Sequence, residues 1–114
     1  MSDIATAKKQ LKIKASATQR LAKEAKVYRQ ETTDLETRLA KLTADGAEEW
    51  DIKNATKMVE ESKKMIVDVD TRLGKAVDEL KSLVVSSSAK TEVGLSAEDV
   101  DLLKAEEVLK DAAV

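Results

Sequence analysis

Trp50-Asp51-Ile52-Lys53-Asn54-Ala55-Thr56-Lys57-Met58-Val59-Glu60-Glu61-Ser62-Lys63-Lys64-Met65-Ile66-Val67-Asp68, running on to Arg72-Leu73, is the stretch that decides the fold. Alternate steps of three and four residues lead through Ile52, Ala55, Val59, Ser62, Ile66, Val69, Leu73, Ala76, Leu80 and Leu83, a heptad seam with Ser62 as its one polar member. Met58, Met65, Val77 and Val84 flank that seam and make it wider than the a/d stripe of a two-stranded coiled coil. So broad an apolar side predicts the central rod of a helical bundle, with neighbours on two sides.

An equally long helix precedes it. Ile4, Ala7, Leu11, Lys14, Thr18, Leu21, Ala25, Tyr28, Thr32, Leu35, Leu39 and Leu42 repeat the three-four spacing, and Ser2 or Asp3 offers a cap. Lys14, Thr18 and Thr32 weaken this seam; the Lys14 stem is expected to pack while its ammonium reaches water. Ala44-Asp45-Gly46 supplies the turn, with Gly46 at the left-handed C-terminal position. So short a link forces an antiparallel hairpin. Trp50, beside the turn, reads as a plug closing that end or as an exposed anchor for a partner.

Ser86 to Gly94 reads as the core of a flexible loop. Ser96 and Asp99 then resemble a capping box, Leu95 and Val100 a hydrophobic staple, and a short helix carrying Val100, Leu102, Leu103, Ala105, Val108, Leu109 and Ala112 follows. The expected fold is all-α: an elongated three-helix bundle in a single domain over 1–114, with two long antiparallel helices (about 3–43 and 48–85), a loop at 86–95 and a shorter third helix at 97–113. The short helix reaches only half of the hairpin. Near Gly46, two helices stand without a third, leaving Leu35, Leu39, Leu42, Met58 and Val59 as a candidate docking surface unless the paired seams close on each other or the chain dimerises there.

Composition narrows the function. The 114 residues include no proline, cysteine, histidine or phenylalanine, and 37% are charged. The usual zinc ligands and Cys or Ser-His nucleophiles are therefore missing, and Gly46, Gly74 and Gly94 form no phosphate-binding loop. An enzyme is not expected. No run is long and apolar enough to cross a bilayer, no secretory leader is apparent, and a cytoplasmic setting is the default. Charge is segregated: Lys8 to Arg29 holds eight basic residues against Glu24 alone, whereas Glu92 to Val114 holds seven acids and two lysines. The third helix should lie against the basic half of the first, and the remaining basic face could steer an acidic partner. Nucleic acid fits poorly with a net charge of −2 and no aromatic platform.

Particular residues resemble a known family. Leu11-Lys12-Ile13-Lys14, Arg20-Leu21-Ala22-Lys23-Glu24, Tyr28 and Glu31 look like the first helix of the tubulin-specific chaperone A (tubulin-folding cofactor A) family. Trp50-Asp51-Ile52-Lys53 resembles that family's aromatic-Asp-Ile-Lys start to the second helix, and Glu60-Glu61-Ser62, Met65-Ile66, Asp68 and Arg72-Leu73 follow at its spacing. Val67 stands where the family often has proline, so a straighter second helix is expected.

The resemblance implies a cytoplasmic, cytoskeleton-associated chaperone with no cofactor. It would capture the β-tubulin folding intermediate released by the cytosolic chaperonin, stoichiometrically and without ATP, on the way to the α/β heterodimer, and other tubulin-folding cofactors are possible partners. The candidate β-tubulin contacts are Lys12, Arg20, Lys23, Glu24 and Tyr28 on the first helix. On the second they are Asp51, Lys53, Lys57, Met58, Glu60, Glu61, Lys64 and Met65. Ile52, Ile66 and Leu73 match equally well but read as core. The bundle is expected to be a monomer or weak homodimer; the rival expectation is a scaffold coiled coil that self-associates or tethers another helix.

Overall fold

The structure is a computed structural model that describes residues 2–89 and 100–112. Three helices make up its regular elements: α1 (Ser2–Ala44), α2 (Glu49–Ala89) and α3 (Val100–Ala112). Good helix formers fill them and proline is absent, so no backbone donor is missing from either long helix. Ser2 and Asp3, read as caps, already lie inside α1. Ser86 to Ala89, expected to open the flexible loop, instead continue α2, because serine only mildly disfavours a helix that is already propagating. The Ser96–Asp99 capping box, Leu95 of the staple and the expected helical start at 97 lie outside the described residues.

The turn after α1 is a Schellman closure. The Gly46 N–H donates to the Thr43 carbonyl at 3.2 Å and the Ala47 N–H to the Leu42 carbonyl at 3.0 Å. Gly46 has φ +69°, the left-handed conformation that this motif demands. Glu49 and Asp51 then put negative charge in the first turn of α2, where the helix dipole favours it.

The chain divides into two compact units, Met1–Ala22 with Arg72–Val114, and Lys23–Thr71. In the first, Leu11, Ala15, Leu80, Leu102, Ala105 and Val108 form the core, with Leu83, Val84 and Leu109 packed against it. Here α1 and α2 run antiparallel: Lys14 meets Glu79 and Thr18 reaches the Ala76 carbonyl. In the second unit α1 and α2 alone contribute, and Ala25, Thr32, Ala55, Val59, Ser62 and Val69 are buried. Arg29 meets Asp70 there and Glu36 meets Lys63, again in antiparallel order.

Every position of the two seams read from sequence, from Ile4 to Leu42 and from Ile52 to Leu83, is buried or half-buried. Thr18 and Thr32 do not interrupt the packing, because each hydroxyl bonds the carbonyl four residues back, at 2.8 Å and 2.9 Å. Lys14 is half-buried, and its ammonium binds Glu79 at 3.0 Å as well as facing water. Ala15 joins the core although it lies outside the heptad, because α3 packs on that flank of α1.

Candidate surface grooves

Second-unit side chains at helical spacing converge on an open groove of about 500 Å³ between α1 and α2. Tyr28, Glu31 and Leu35 come from successive turns of α1; Met58, Glu61, Ser62, Lys64 and Met65 come from α2. The i, i+3, i+7 pattern places these residues along one edge of each helix. Met58 is 38% and Met65 41% exposed, the consequence of an apolar side wider than one facing helix can cover. Five residues expected as partner contacts (Tyr28, Met58, Glu61, Lys64 and Met65) thus share one site.

A second groove of about 580 Å³ lies along the start of α2, where Trp50, Lys53, Lys57 and Glu60 sit with Ile52 and Thr56. Trp50 is 72% exposed, so it does not plug the hairpin end. The reason lies in its register: Trp50 falls two residues before Ile52, on the far side of the helix from the seam.

The remaining candidates are separate. Lys12 lines a small cleft of about 80 Å³ with Ala15 and Ser16 of α1 and Asp101 and Lys104 of α3. Arg20, Lys23 and Asp51 are exposed and Glu24 half-buried, outside the three spaces just described. In the first unit one α3 acid, Asp101, shares a cleft with Lys12 of the basic face of α1, beside Lys104. Glu31 was missed as a contact candidate, although its place three residues after Tyr28 and four before Leu35 puts it on the same edge.

Among the described residues no cluster of three metal-ligating side chains occurs, and no helix is long and apolar enough to cross a membrane. The fold perturbs the titration of Glu79. The hydrogen bond from Lys14 and then the Lys14 charge hold its carboxyl below the usual range, with Lys75 adding a smaller pull against a small desolvation effect.

The class these features define is an all-helical binding protein, with charged and apolar grooves on the outside of its helix pair. The chain belongs to the tubulin binding cofactor A family, whose sequence profile matches residues 6–111. Human tubulin-specific chaperone A is 34% identical over 76 residues, 67% of this chain and 70% of the human protein. The bovine protein of that name is 35% identical over 78 residues, 68% of this chain and 72% of its own length. The crystal structure of tubulin folding cofactor A from Arabidopsis thaliana superposes with a TM-score of 0.83 at 28% identity, covering 96% of this chain and 97% of that one. The structure of human tubulin chaperone cofactor A gives a TM-score of 0.78 at 30% identity, over 95% and 99% of the two chains. The all-α expectation and the family resemblance are therefore both met.

Proposed function

We propose that this chain captures folding-competent β-tubulin after its release from the cytosolic chaperonin and holds it until α/β heterodimer assembly. The observation that carries the reading is the family match, which extends over residues 6–111. The relatives named above are called chaperones or folding cofactors of tubulin. The mechanism is stoichiometric binding without ATP. Capture stabilises the client by mass action, shifting its folding equilibrium by the free energy of binding the captured form.

The second-unit grooves supply the kind of surface this requires. Met58 and Met65 give apolar area that adapts its shape, while Lys53, Lys57 and Lys64 line the two grooves with charge. On the first helix, Lys12, Arg20 and Lys23 are exposed and lie on the basic side, where they accelerate encounter with an acidic client. Such steering weakens with salt. The protein works in the cytoplasm, as a monomer or weak homodimer, beside other cofactors of the same pathway.

Native electrophoresis with chaperonin-released, labelled β-tubulin, and α-tubulin in a parallel track, tests the proposal. A discrete new band with β-tubulin alone is the expected result. A folded, helical chain that shifts neither tubulin would refute it and bring the self-associating scaffold forward.

A further inference from the structure

We infer that the groove between α1 and α2 in the second unit takes one amphipathic α-helix of the client, with aliphatic residues at i, i+3 or i+4, and i+7 flanked by lysine or arginine. The inference rests on the reading that the chain holds a client, and it specifies which element is held.

The first observation is that the same two helices are completed differently in the two units. In the first, α3 supplies Leu102, Ala105 and Val108 to a core shared with Leu11, Ala15 and Leu80. In the second, no third helix contributes, and Tyr28, Leu35, Met58 and Met65 line an open groove of about 500 Å³. Tyr28 and Leu35 are seven residues apart on α1, and Met58 and Met65 are seven apart on α2. Each pair therefore forms an apolar edge about 10 Å long, two turns of helix. Two such edges accept the ridge of a third helix, the geometry α3 already illustrates in this chain. Methionines on one wall let the groove adjust to branched or unbranched side chains.

The second observation is charge. Glu31 lines the α1 wall and Glu61 the α2 wall, and among the described residues neither is held in an ion pair. Lys64 is the one cation of the lining. The groove therefore favours a helix whose apolar stripe has basic borders. A second copy's α3 is disfavoured, because Asp101, Glu106, Glu107 and Asp111 outnumber its Lys104 and Lys110 and would face Glu31 and Glu61.

Fluorescence anisotropy on the full chain tests this with two designed peptides of about five helical turns. Both carry leucines at the stated spacing; one is flanked by lysines, the other by glutamates at the same positions. The lysine-flanked peptide is expected to bind at least about tenfold more tightly. Met65→Lys should weaken it by a similar factor, and Glu31→Lys with Glu61→Lys should reverse the preference between the peptides. Circular dichroism verifies that these surface variants stay helical. Equal binding of both peptides, binding indifferent to the substitutions, or no binding would overturn the inference. Capture of β-tubulin, measured in parallel, separates the two levels. A chain that captures β-tubulin but ignores the peptides removes the groove assignment alone. One that binds the lysine-flanked peptide but not β-tubulin upholds the groove's chemistry and removes the client reading.

Discussion

Thr32 and Ser62 hydrogen-bond to each other through their hydroxyls across the α1–α2 seam, and both are buried. The Thr32 hydroxyl also donates to the Tyr28 carbonyl at 2.9 Å. Its single proton is thereby used, so Ser62 is the donor across the seam. The two partners are then unequal. Ser62→Ala removes one hydrogen bond and should cost about 0.5–1.5 kcal/mol. Thr32→Val strands the buried Ser62 donor and should cost more, about 1–3 kcal/mol. The double variant should recover much of that loss, because no unsatisfied group remains. Urea denaturation of the four proteins completes the cycle; equal single costs that simply add would refute the assigned direction.

The same substitution at two glycines should have opposite signs. Gly46 sits at φ +69° with open space around its Cα, so Gly46→Ala meets backbone strain and no clash. It should cost about 1–2 kcal/mol. Gly74 lies inside α2, also with room for a methyl group, and Gly74→Ala should stabilise the chain by about 0.5–1 kcal/mol. Thermal melts decide; a lowered midpoint for Gly74→Ala would mean that this position needs the freedom of glycine.

How much of this was legible in the sequence depended on periodicity. Ile52 to Leu83 and Ile4 to Leu42 gave both long helices and their inward faces, since every seam residue is at least half-buried. Gly46 gave the turn, because few residues other than glycine adopt its conformation readily. The end of α2 lies beyond Ser86 because a helix already propagating carries through serines whose local propensity alone points to a loop. Val100 and Leu103 are as apolar as Leu102, yet both are exposed, since a short helix with one neighbouring face buries only one stripe. For the site, residue type and spacing picked out Tyr28, Met58, Glu61, Lys64 and Met65. The groove they share also takes in Glu31, which helical spacing places on the α1 edge beside Tyr28; that this edge faces Met58 and Met65 is what only the pairing of the two helices reveals.

Core substitutions should follow enclosure and not hydrophobicity alone. Leu80 is fully enclosed and Leu102 nearly so, and truncating either to alanine should cost about 3–5 kcal/mol. Ile66 also lies on the seam, but it is half-buried next to fully enclosed Val69. Ile66→Ala should therefore fall near the lower end of the range, about 2 kcal/mol. Urea midpoints at constant slope provide the comparison. An Ile66→Ala loss matching that of Leu80→Ala would show that partial exposure does not discount the site.

Lys14 and Glu79 couple stability to pH in one direction. The Lys14 hydrogen bond and charge lower the folded-state pKa of Glu79, so around and below the ordinary glutamate range the unfolded chain binds more protons at this site. The pair's contribution is therefore complete above the unfolded-state value of about 4.3 and is lost as pH falls through the depressed folded-state value. Because the two side chains are 40% and 43% exposed, salt should diminish the effect. Unfolding free energies for the wild type and Glu79→Gln, measured from neutral pH into acid at low ionic strength, should converge as pH drops. Two curves that stay parallel throughout would show that Lys14 does not favour the ionised carboxylate in the folded chain.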